Sequence, residues 1–177
     1  KAGIASFFAD MMTEDTKNYS AEQMSRELQK LGSSINVSSS LDGITFQIQS
    51  LKKNVDATLK LLEERMFRPK FTDDAFSRIK RQTVEGFKIA KTQPATVASA
   101  VFAKVNYGDK HILGVAEDGD EETVKNFTLK DVQDYYDNYM TSQGVNVVVV
   151  ADIKEVEIIP QLSFLKNLPN KKIDLPS

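Results

Sequence analysis

Ser6, Ala9 and Asp10 lie on a narrow face of the first amphipathic stretch, Gly3 to Met12, where a hydrolase could keep a catalytic metal. A zinc centre of that kind needs neutral imidazoles one helical turn apart and a carboxylate that takes a proton from the bound water. Ser6 and Ala9 can do neither job. With one His and no Cys in 177 residues, the chain cannot assemble a His-rich or Cys-rich zinc site from its own atoms. A catalytic zinc must come from elsewhere or be absent.

The other residues that could do chemistry read more plainly. His111 follows Tyr107-Gly108-Asp109-Lys110 and is expected to be a hydrogen-bonding loop residue. Ser38-Ser39-Ser40 has hydroxyls but no nucleophile elbow and no neighbouring histidine, so a serine nucleophile is not expected. Tyr135, Tyr136 and Tyr139 sit at helical spacing and read as packing. No glycine-rich loop is available to cradle a phosphate. A net charge of −2, from 23 basic and 25 acidic residues, gives no field for nucleic acid or an anionic membrane. The longest apolar stretches, Ile4 to Met12 and Val145 to Ala151, fall well short of a membrane span. The start at Lys1-Ala2-Gly3, without Met and leading directly into a helix, is expected to be that of an excised piece.

At 41% hydrophobic and 27% charged residues, the chain has the balance of a folded domain with a real core. Ile4, Phe7, Phe8, Met11 and Met12 recur at helical spacing and should pack inward, leaving Ser6 and Asp10 on the opposite face. Ser20 with Gln23 forms a capping-box pattern, so a second helix should run to Leu31 and stop at Gly32. Alternating runs on either side of Asp42-Gly43 predict a hairpin whose two turn residues both take positive φ. Ile44, Phe46 and Ile48 should face a core, with Thr45, Gln47 and Gln49 outward. Further helices are expected from Val55 to before Pro69, after the cap Thr72, from Ala95 to Asn106, after the cap Thr128, and from Lys154 to Leu168. The Thr72 helix should bury Phe76, Ile79, Thr83 and Phe87, and the β-branched run from Val145 to Asp152 reads as a buried strand. The order predicts an α+β domain, an antiparallel sheet with helices mainly on one face, over residues 1–168, followed by a linker or tail at 169–177.

Taken in order, Gly3 to Thr16, Leu28 to Ser34, the Asp42 hairpin, Leu61 to Pro69, the Phe76 helix, Tyr107-Gly108 with His111, and Val147 to Asp152 resemble the insulinase-like (M16, pitrilysin) zinc peptidases. The resemblance covers nearly the whole chain. It implies a fold similar to the LuxS and mitochondrial-processing-peptidase-like metallohydrolases, in which zinc-bearing domains pair with homologous domains that have lost the metal. Carried over by position, Ser6 stands where the first zinc His belongs, Ala9 where the general-base Glu belongs, and Asp10 where the second His belongs. Glu85, in Arg81 to Glu85, is the counterpart of the later glutamate ligand. Asp10 and Glu85 alone would make a feeble, oxygen-only site, and both carboxylates read as solvated helix residues; an unorthodox metal site of Asp10, Glu85 and His111 is the weaker alternative.

The resemblance therefore implies a chain with no cofactor of its own and zinc in a partner domain, in cis or in trans. Its expected role is one wall of a chamber for a peptide substrate. A structural or assembly subunit, similar to the core proteins of the respiratory chain, is the alternative.

Overall fold

The computed structural model describes residues 1–108 and 111–172, so Asp109 and Lys110 of the expected loop and the last five residues of the expected tail lie outside the described residues. It confirms a mixed fold of helices and an antiparallel hairpin. The chain forms two compact units. The first gathers Lys1–Met11, Ser38–Thr45 and Phe71–Gln133, and the second gathers Met12–Val37, Phe46–Lys70 and the chain from Asp134 onward.

In the first unit, α1 (Ile4–Met11) is built on Phe7, Phe8 and Met11. Phe7 meets Phe76 and Phe127 edge to face, at 5.3 and 5.5 Å between ring centroids. Phe76 belongs to α4 (Asp73–Ala90), whose cap Thr72 accepts the Ala75 N–H while Asp73 and Asp74 face the positive end of the helix dipole. Its buried stripe is Ala75, Phe76, Ile79 and Val84, so the inner face turns through Val84 where Thr83 was expected. α5 (Pro94–Tyr107) begins on proline and ends at Gly108. It buries nothing fully, and Val97, Val101, Phe102 and Val105 stand exposed.

α6 (Glu121–Lys125) is a short helix not anticipated from the sequence, with a reciprocal cap between Asp120 and Thr123. Glu121 bonds Lys125 and Lys91, which hold its carboxyl down at about 2, and Asp131 is held at about 2 chiefly by the Lys1 ammonium at 2.6 Å. Both carboxylates are thus charged when folded at a pH where the unfolded chain would take up protons. Their contribution is complete above the ordinary carboxylate range and is lost as pH falls from about 4 toward 2. Urea melts at pH 5 and pH 2.5 should show this acid loss, and removing Lys1 and Lys91 together should shrink it. An unchanged pH dependence in that double variant would refute the assignment.

In the second unit, α2 (Ala21–Leu31) carries the expected capping box at Ser20 and Gln23. Gly32 closes it at φ 59°, a left-handed value that glycine adopts without the penalty of a Cβ. α3 (Val55–Phe67) ends at Arg68, before Pro69, as the proline rule requires. Met24, Leu28, Ile35, Leu59, Leu62 and Met66 form one core with Ile158, Phe164 and Leu168. Ser33, Ser50 and Thr58 join hydroxyls at 2.8 to 3.1 Å beside it, which satisfies the fully buried Thr58. An isolated antiparallel bridge ties Thr16 to Pro69.

The hairpin β1 (Ser34–Ser40) and β2 (Gly43–Gln49) keeps the expected alternation, with Ile44, Phe46 and Ile48 half-buried and Thr45, Gln47 and Gln49 exposed. Its turn differs from the expected one. Gly43 has φ 145°, and among the described residues no non-glycine residue has positive φ, so the turn falls on Leu41 and Asp42 with Gly43 opening β2. α7 (Leu129–Tyr139) follows the predicted Thr128 and packs Tyr135 on Tyr139 at 4.6 Å.

Two expectations near the end of the chain are corrected. The Val145–Asp152 run is not a strand, and Val145 and Val147 to Val150 are 46 to 94% exposed. β-branched density favours a strand only where a neighbouring strand accepts its hydrogen bonds, and among the described residues none is paired with it. The helix expected to Leu168 is α8 (Glu155–Gln161), followed by a 3₁₀ turn at Ser163–Asn167. Pro160 lies in its last turn. Beyond it, Pro169 and Lys171 offer their carbonyls to the Thr141 hydroxyl at 2.8 Å. No helix among the described residues is long and apolar enough to cross a membrane.

Candidate functional site

α1 holds three of the four positions singled out in the sequence. Ser6 is half-buried and Asp10 is exposed, in keeping with a shared outer face. Ala9 does not belong there: at 3% exposure it is buried, like Phe7 and Phe8 of the same helix. Its small, apolar side chain suits that place and supplies no proton acceptor. Glu85, late in α4, is exposed and pairs with Lys88 at 2.7 Å, an ordinary helix-surface interaction three residues apart. The side chains at these positions therefore supply one hydroxyl and two carboxylates, a donor set without the nitrogen ligands zinc prefers. Among the described residues, no group of three or more His, Cys, Asp or Glu is placed to hold a metal ion.

His111 caps a 3₁₀ turn, Ile112–Gly114, where its Nδ1 accepts the Leu113 N–H at 3.2 Å and its ring stacks on Tyr107 at 5.7 Å. Both interactions are local. They fit the hydrogen-bonding loop residue expected from the sequence.

The charged residues that the sequence reading passed over lie in α3. Glu64 is 4% exposed, and its two oxygens accept the Asn18 backbone N–H at 3.0 Å and side-chain amide at 2.9 Å, with Arg68 Nη1 at 3.1 Å. Burial pushes its carboxyl up, but the bonds from Asn18, Thr16 and Arg68 outweigh that and hold it below the ordinary glutamate value. Arg65 is 5% exposed, and its Nη1 donates to the Met12 carbonyl at 3.2 Å. Burial lowers its affinity for the proton, opposed by the negative charge of Glu14. A signal for both was present: Glu64 and Arg65 stand between Leu62 and Met66, in a helix whose apolar residues leave little polar face.

The chain belongs to the insulinase family of peptidases, peptidase family M16, whose family model matches residues 1–111. It is 26% identical to the zinc protease PqqE of Helicobacter pylori over 99% of this chain and 40% of that protein. It is also 23% identical to the non-peptidase homolog YmxG of the same organism, over 96% of this chain and 39% of the relative. Among solved structures, the inactive M16 peptidase domain from Pseudomonas fluorescens superposes with a TM-score of 0.88 at 22% identity, over 99% of this chain and 43% of that one. The chain thus spans about two-fifths of the length of the curated relatives it matches.

Proposed function

We propose that this chain acts as the metal-free domain of an M16-type zinc metallopeptidase, forming part of a chamber that receives a peptide. The observation that carries this reading is a first helix with no His and no Glu in a chain of the M16 family, and we align Ser6, Ala9 and Asp10 with the three helix positions of the family's zinc motif. Zinc and the water it activates would belong to a homologous domain, in cis or in trans. The wetter face of the hairpin, with Thr45, Gln47 and Gln49, and the unpaired strand edges would meet an extended peptide by backbone hydrogen bonding. Support for a partner domain comes from the exposed apolar side chains of α5 and of Val147 to Val150. They are the kind of surface that a second domain covers.

The purified chain is expected to show no turnover of unfolded peptides with added zinc, and no stoichiometric zinc by elemental mass spectrometry after a mild chelator wash. Turnover that Asp10→Ala abolishes would overturn the reading. Binding of unstructured peptides is the positive arm; a chain that binds none, yet assembles with a zinc-bearing homologue, would be an assembly subunit.

The zinc-motif assignment has its own test. The triple variant Ser6→His, Ala9→Glu, Asp10→His should gain zinc affinity with Glu85 as a further ligand, and Glu85→Gln in that background should weaken it. Because Ala9 is buried, the triple variant without metal should unfold more easily than the parent, and zinc should restore it. Absence of zinc binding by a folded triple variant would refute the alignment of these positions.

A further inference from the structure

Arg65 is buried with the negative charge of Glu14 acting on it, yet its hydrogen bonding is sparse. The guanidinium carries five N–H donors and keeps its charge even when buried. At 5% exposure it has one hydrogen bond, to the Met12 carbonyl, while Nε is buried with no partner. An unsatisfied buried donor on a cation is costly, and a charge in this position is retained at the expense of stability. Arg65 also lines a cleft of about 370 Å³ on the second unit. The remaining wall includes Ser25 and Gln29 from α2, Ser33 after Gly32, and Ser34 and Asn36 from the start of β1. Leu28 and Ile35 supply apolar floor.

A recess of this size holds a side chain or a chain terminus, and it sets one cation beside the short polar side chains of Ser34 and Asn36 on a wall that is otherwise largely apolar. We infer that this cleft is a carboxylate-binding subsite, with Arg65 as the charged anchor and Ser34 and Asn36 as the surrounding polar groups. A planar carboxylate suits the guanidinium as a charge and hydrogen-bond partner, although Nε itself is sealed from solvent and out of its reach. The carboxylate can come from the C-terminus of a peptide or from an acidic side chain within one. The inference rests on the peptide-binding reading for that source, whereas the site itself is read from Arg65 and its cleft.

The test is titration of the isotopically labelled protein, followed by amide resonances of Ser33 to Val37. Three probes are used: a short acetylated peptide with a free C-terminus, the same peptide amidated, and an amidated peptide carrying one internal glutamate. The expected result is saturable binding of at least one carboxylate-bearing probe, weaker by about tenfold or more for the neutral peptide. The first and third probes distinguish terminal from side-chain carboxylate. Arg65→Met should remove the preference while leaving a folded and more heat-resistant protein, because a buried unsatisfied charge is replaced by an apolar chain of similar length. If that variant does not fold, Gln29→Glu at the exposed rim places a repelling charge beside the cleft and should weaken carboxylate binding severalfold. Equal binding of neutral and carboxylate peptides, or a carboxylate preference untouched in a folded variant, refutes the subsite and leaves peptide binding standing. Arg65-dependent shifts with acetate, without binding of any peptide, would keep the subsite and refute the peptide reading.

Discussion

Phe7→Ala is expected to lower the unfolding free energy by about 3–5 kcal/mol, the range for removing a large aromatic side chain from a packed core. Phe7 is 2% exposed, and its ring is held on two sides by Phe76 and Phe127, at interplanar angles of 62° and 77°. The cost combines lost apolar burial, a cavity between two elements that can close only in part, and two lost edge-to-face contacts. Urea denaturation of the parent and the variant, compared at one pH, measures it. Phe7→Leu should cost clearly less, because most of the volume remains. Equal losses for Leu and Ala would show that ring geometry rather than volume holds α1 in the first unit; a loss below about 1 kcal/mol for Ala would refute the packing itself.

Glu64→Ala is expected to cost about 3 kcal/mol, since it leaves the Asn18 amide groups and Arg68 without their common acceptor. Glu64→Gln keeps the shape and one acceptor oxygen, so it isolates the charge. The sign of the pH effect follows from the lowered carboxyl. The folded protein keeps Glu64 ionised at a pH where the unfolded chain, with the ordinary value of 4.5, begins to bind a proton. Its stabilisation is complete above that ordinary value and disappears as pH falls through the lower folded value. The difference in unfolding free energy between the parent and Glu64→Gln should therefore shrink between pH 7 and pH 3. A difference that stays constant over that range would show that the network does not depend on the charge.

The elements most legible in the sequence are those whose signal is local. Ser20 with Gln23, Thr72 ahead of two aspartates, and Gly32 each specify a helix end through bonds within a few residues, and all three act as read. The alternation in β2 was equally clear, because side-chain period alone determines which residues can share a face. The Asp42-Gly43 turn was less so: the dipeptide signals a hairpin, yet its register depends on the pairing of both strands, which placed Gly43 in β2. Val145 to Val150 shows the opposite failure. Its composition favours a strand, but strands are made by neighbours, and its backbone has none in the sheet described.

By itself the sequence determined the poverty of metal ligands and the order of most of the helices and the hairpin. These depend on residue identity and short-range spacing. Only the tertiary structure decided that Ala9 points inward, that Glu64 and Arg65 are buried charges, that Arg65 Nε is left unpartnered, and that Arg65 lines a cleft. Burial and hydrogen-bond satisfaction are set by residues far apart in the chain, such as Asn18 with Glu64 and Met12 with Arg65. No local pattern carries that information, so the ligand-poor helix was readable in advance and the charged cleft was not.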